Sequence, residues 1–100
     1  MTRMTPQDRE QSLLGHAVAA AAADGWRNLT RAAIAQRAGV SEALVSARLG
    51  TMQQVRRSVM RAAVRDRCLP VIAEGLAARD AQALRASDTL KKLAAALLCK

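Results

Sequence analysis

Phenylalanine and tyrosine are absent from this 100-residue chain, and Trp26 is its one aromatic residue. The β-branched residues are scattered, whereas Ala, Leu and Arg, all good helix formers, are abundant. An all-α chain is the reading. Cysteine and histidine are scarce as well: Cys68 and Cys99 stand far apart, and His16 is alone. No metal-ligand spacing exists, and no cofactor is expected. His16 sits among alanines with no Ser, Cys or acid positioned to form a dyad, and neither cysteine has a histidine near it in sequence. The chain therefore reads as no enzyme. Long apolar runs are missing too. The longest uncharged stretches, 11–23 and 93–99, fall short of the roughly 18 residues that a membrane span needs. The first residues lack the charged-then-apolar pattern of a leader. These absences predict a soluble, cytoplasmic protein with reduced thiols and no membrane partner.

Acids are few, and the net charge is +8. The excess is concentrated. Residues 27–67 hold nine arginines and only two acids, Glu42 and Asp66, a net of +7; the rest of the chain carries +1. A charge confined to one part of a fold is the electrostatic footprint of a polyanion binder.

Capping residues divide the chain into helices. Residues 1–4 read as a short arm, by default a disordered tail, with a minor-groove contact by Arg3 as the alternative. Thr5 then Pro6 opens a first helix over 6–23, with Asp8 placed close to a capping box. Leu13, Leu14, Ala17, Val18 and Ala21 form its apolar stripe, and Asp24-Gly25 stops it. Trp26 reads as a core plug, with Leu29 buried beside it. Thr30 caps a helix over 31–38, Gly39 ends it, and Ser41 caps another over 42–49. Gly50-Thr51 starts a fourth helix over 52–67, with Met52, Val55, Val59 and Ala63 on one face. Pro70 opens a short helix over 70–78, Arg79-Asp80 is a joint, and Ser87 caps a last helix over 88–99. Two units follow from this: 1–67, which carries the charge, and 68–100, a pair of C-terminal helices.

The stretch from Thr30 to Leu49 has helix-turn-helix spacing. Ala35 is small where two helices would cross. Gly39, four residues on, supplies a turn with positive φ, and Val45, ten residues after Ala35, plugs the second helix into the core. With this spacing the third helix presents Glu42, Ala43, Ser46 and Ala47 to a major groove, with Leu44 at the margin. Thr30, Arg31, Ser41, Arg48 and Thr51 suit backbone phosphates, and Arg27 can join them. Arg57, Arg61 and Arg65 repeat along the fourth helix as a solvated stripe. Leu90, Leu93, Ala94, Leu97 and Leu98 supply a dimerisation face, because a chain this small gains from sharing a core. The competing placement is against the chain's own fourth helix.

Leu29-Thr30, Ile34-Ala35 and Ala38-Gly39-Val40-Ser41 resemble the DNA-binding part of the TetR family of bacterial transcriptional repressors, over about residues 13–60. The resemblance implies a helix-turn-helix head on a small helical bundle, binding double-stranded DNA as a homodimer on a palindromic operator. Two positions depart from the family's pattern. Ser46 stands in place of its phosphate-binding Tyr, and Met52 in place of its Lys, while Arg48 supplies a permanent cation where the family has His. The residues after the fourth helix are too few for the family's effector cavity, so no small-molecule effector is expected. Control by concentration, dimerisation or a protein partner is expected instead. Two rival readings are a helical protein–protein interaction module, with the arginine stripe facing an acidic partner, and a DNA-binding accessory protein of partition or excision.

Overall fold

The computed structural model describes residues 5–98. It contains seven α-helices and, among the described residues, no strand: α1 Pro6–Asp24, α2 Arg31–Ala38, α3 Glu42–Leu49, α4 Met52–Asp66, α5 Leu69–Ala77, α6 Ala81–Leu84 and α7 Asp88–Leu98. The protein is an all-α bundle. The expected N-terminal arm with Arg3, and Cys99, lie outside the described residues.

The caps account for most of the boundaries. Thr5 and Asp8 form a reciprocal box, the Thr5 hydroxyl accepting the Asp8 N–H at 3.1 Å and the Asp8 carboxylate accepting the Thr5 N–H at 3.2 Å. Gly39 closes α2 in the left-handed conformation, with φ 70°. The 52–67 helix ends one residue early. Arg67 itself turns left-handed (φ 59°), and the Cys68 N–H donates to the Ala63 carbonyl at 2.8 Å. That is a Schellman closure made without glycine. Pro70 then sits inside the first turn of α5, which tolerates a missing N–H.

One helix was not anticipated. The joint at Arg79-Asp80 is followed by α6, where the Asp80 carboxylate accepts the N–H groups of Gln82 and Ala83 at 3.0 and 3.1 Å. A four-residue helix is too short to carry a periodic pattern, so its one sequence signal is that cap.

A single buried cluster runs from Ala17 to Ala94, across the 67/68 boundary. It takes Ala17, Ala20 and Ala21 from α1, Ile34 and Ala35 from α2, Val45 from α3, and Val55, Val59, Met60 and Ala63 from α4. Val71, Ile72 and Ala73 of α5 complete its centre. Helix α5 is the hub, touching α1, α4, α6 and α7. The last helix lies chiefly against α5, not against α4. Leu90 and Ala94 are therefore part of the chain's own core, at 8% and 0% exposed, which corrects their placement on a dimerisation face. Leu93, Leu97 and Leu98 remain exposed.

The connection between α1 and α2 is held from two sides. The Glu74 carboxylate of α5 accepts the backbone N–H of Trp26 through one oxygen and that of Arg27, at 2.8 Å, through the other. The Trp26 ring is buried, and its Nε1–H donates to the Arg56 carbonyl of α4 at 3.0 Å. The Arg56 guanidinium in turn donates to the Leu29 carbonyl at 3.4 Å.

Two predictions follow from the packing. Glu74→Ala leaves two backbone donors without their acceptor and should lower unfolding stability by about 1–3 kcal/mol, read by urea denaturation. The helix-interior glycines should respond in opposite directions. A Cβ at Gly15 meets nothing within 4 Å, whereas one at Gly75 would strike Met60 and lie 2.8 Å from the Ala83 Cβ. Gly15→Ala should stabilise by about 0.5–1 kcal/mol. Gly75→Ala should destabilise, because overpacking costs of roughly 1–3 kcal/mol exceed the helix-propensity gain.

Candidate nucleic-acid interface

Helices α2 and α3 pack against each other through a three-residue turn, Gly39-Val40-Ser41. The inner sides are set by Ile34 and Ala35 of α2 and Val45 of α3, all buried, Val45 completely. Once Val45 is fixed inward, helical geometry turns the residues one and two positions either side of it outward. Ala43, Ser46 and Ala47 are accordingly exposed, as are Glu42 and Arg48, and Leu44 is half-buried. The expected outward face of α3 is thus a continuous exposed strip of one acid and three small residues, with Arg48 at its C-terminal end.

Three hydroxyls mark the helix starts around this strip. Thr30 accepts the Ala33 N–H at 3.1 Å, Ser41 the Leu44 N–H at 3.1 Å, and Thr51 the Gln54 N–H at 3.2 Å. Gln54 answers by accepting the Thr51 N–H at 2.8 Å, which makes a full capping box. Each hydroxyl is used as an acceptor, so each keeps its O–H as a donor for an anion. Thr30, Ser41 and Thr51 are all exposed.

Not every expected contact joins this surface. Arg27 instead lines a groove of about 350 Å³ with Pro70, Ala73, Glu74, Ala77, Leu97 and Leu98, between the α1–α2 connection and the C-terminal helices. Its backbone is fixed there by Glu74. Arg31 is half-buried, with its Nε out of solvent and without a hydrogen-bond partner among the described residues.

A second feature of this surface was not visible in the sequence. Arg48, Arg57 and Arg61 share one groove of about 410 Å³ with Ala47, Leu49, Gly50, Gln54 and Ser58. No carboxylate lines it. The i, i+4 spacing of Arg57 and Arg61 was visible in the sequence. Their meeting with Arg48 depends on the angle at which α4 leaves α3 at Gly50-Thr51 and was not. Arg65 differs from these three: it is paired with Asp66 at 3.2 Å, and that carboxylate raises its guanidinium pKa further.

Elsewhere, His16 shares a groove with Arg9, Ser12, Leu13, Ala38 and Val40. Among the described residues, no group of three or more His, Cys, Asp or Glu side chains is placed to hold a metal ion, and no helix is long and apolar enough to cross a membrane. No family model matches the chain, and no curated protein or solved structure matches it.

The caps are directly testable. Ser41→Ala removes the acceptor for the Leu44 N–H at the start of α3 and should cost about 1 kcal/mol of stability, read by thermal or chemical unfolding. Ser41→Asp should restore most of it.

Proposed function

We propose that this chain is a sequence-specific double-stranded DNA-binding regulator that places α3 in the major groove, with α2 and α3 acting as a TetR-like helix-turn-helix. The observation that carries the reading is the outward strip of α3. It is narrow and built of small side chains, so the helix can approach base edges closely, and it lies beside arginines that no acid neutralises. Glu42 can accept from a cytosine amino group, and Ala43 or Ala47 can meet a thymine methyl. Thr30, Ser41 and Thr51 offer hydroxyl donors and helix N-termini to phosphates. Arg48 adds a charged fork suited to phosphate.

The departures from the family's pattern fit the same picture. Met52, where the family has a lysine, is half-buried and packs against the core, so it contributes no phosphate contact. Arg48 takes on that electrostatic role.

A helix-turn-helix of this kind works as a homodimer on half-sites about 34 Å apart or a multiple of that. Leu93, Leu97 and Leu98 are the apolar side chains of α7 left for a second copy, since Leu90 and Ala94 are committed to the monomer. Repression is the default mode, by occupation of an operator.

The test is duplex binding as a function of salt and sequence. Steep loss of affinity with salt and preference for one palindrome are expected. No affinity for duplex DNA at low salt would overturn the reading. Two variants locate the interface. Arg48→Ala should weaken binding to all duplexes about equally, by roughly 1 kcal/mol or more. Ala47→Phe should abolish operator binding while leaving helix content and thermal stability unchanged. Normal operator binding by the Ala47 variant would show that α3 is not the inserted helix.

A further inference from the structure

We infer that the groove between α3 and α4, lined by Arg48, Arg57 and Arg61, is a second phosphate-binding surface that holds the DNA backbone beside the segment α3 reads. The inference rests on the DNA-binding function proposed above and deepens it. It moves Arg57 and Arg61 from a solvated face to the contact surface and carries the footprint along α4, past its first turn.

Three observations support it. The first is uncompensated charge. Among the described residues, none of the three arginines has a carboxylate within 4.0 Å, whereas Arg65, one turn beyond Arg61, is paired with Asp66. Three permanent cations around one concavity repel each other, and the low-dielectric walls of a cleft focus their field outward. An anion in the groove relieves that repulsion. The second is orientation. The Arg61 Nε donates to the Gln82 Oε1 of α6 at 3.3 Å. This partner is neutral: it directs the guanidinium without cancelling its charge and leaves both terminal NH2 groups for a phosphate. The third is continuity. Ala47 and Arg48 line the groove and also close the C-terminal end of the α3 strip, so the two surfaces adjoin. Arg57 and Arg61 are one helical turn apart on the same side of α4, and a backbone seated against Arg48 can meet both. Forked guanidinium donors match phosphate oxygens pairwise, which suits this surface to a phosphodiester more than to isolated carboxylates.

The experiment compares the full chain with R57Q/R61Q and with R65Q/R67Q, which removes the same charge outside the groove. Glutamine keeps helix propensity, and circular dichroism verifies that both variants fold. Binding to a mixed-sequence duplex is measured by fluorescence anisotropy between about 50 and 200 mM salt. For R57Q/R61Q the plot of log affinity against log salt should be shallower by about 1 per arginine removed, whereas R65Q/R67Q should keep the parent slope. A parent slope in R57Q/R61Q overturns the inference while leaving the α3 reading intact. Equal flattening in both variants also overturns it, because the effect would then be net charge and not the groove. Failure of the parent chain to bind any duplex removes both conclusions together. If R57Q/R61Q binds the duplex as the parent does but loses binding to polyglutamate, the groove faces an acidic protein and the inference is wrong.

Discussion

The carboxylate of Glu74 fixes the position of everything that the proposed function uses. It comes from α5, outside the charged segment, and binds the backbone N–H groups of Trp26 and Arg27 in the connection that launches α2. Loss of that acceptor costs about 1–3 kcal/mol, a sizeable share of the roughly 5–15 kcal/mol that stabilises a typical domain. The Trp26 indole adds a second tie, to α4. Together they tie the connection to α5 and α4 directly after Gly25 closes α1. The orientation of α2 sets α3, because Ala35 and Val45 pack in the shared core. The C-terminal helices are thus not an appendage to the charged segment: α5 holds its first turn in place.

The composition explains why such ties matter. A chain without Phe or Tyr cannot fill its interior with rings, and the described core is mostly Ala, Val, Leu, Ile and one Met, with Trp26 at its edge. Alanine contributes little area, so apolar burial per residue is modest. Small residues do let helices approach closely, as where Gly75 and Ala83 bring α5 and α6 together around Met60. Close approach raises packing density and removes tolerance, because the interior has no slack for an added methyl. Orientation is then supplied by a few side-chain-to-backbone hydrogen bonds and not by interlocking bulk.

Much of the fold was legible because its boundaries are local events. Thr5, Thr30, Ser41 and Thr51 accept N–H groups three residues ahead, and Gly39 turns left-handed; each depends only on immediate neighbours. The outward strip of α3 was legible for a related reason, since fixing Val45 inward settles its neighbours by helical period. What escaped was tertiary or too short to show a period. The Glu74 contacts span nearly fifty positions, and the meeting of Arg48 with Arg57 and Arg61 follows from the angle between α3 and α4. Arg27 read as able to join the phosphate contacts, yet it lines a groove with residues of α5 and α7. The leucines of α7 show the limit of an apolar stripe. Periodicity announces that a face is buried without saying whether the same chain or another buries it, and here Leu90 and Ala94 went to α5.

The charge asymmetry has a structural cause beyond a shortage of acids. Of the eight acidic residues, five are already engaged: Asp8 in a capping box, Asp66 with Arg65, Glu74 with the α1–α2 connection, Asp80 at the start of α6 and Asp88 with Lys91. Four of these five lie in or after the last turn of α4, and the fifth opens α1. Glu42 is the one acid on α3, at the helix start where a negative charge also complements the backbone dipole. Acids that cap backbone groups are held in place and cannot swing over to screen a distant arginine. The same residues that build the scaffold thereby leave the α3–α4 surface with its positive field. A protein folded this way carries an electrostatic cost on one face, which the polyanion proposed above would relieve.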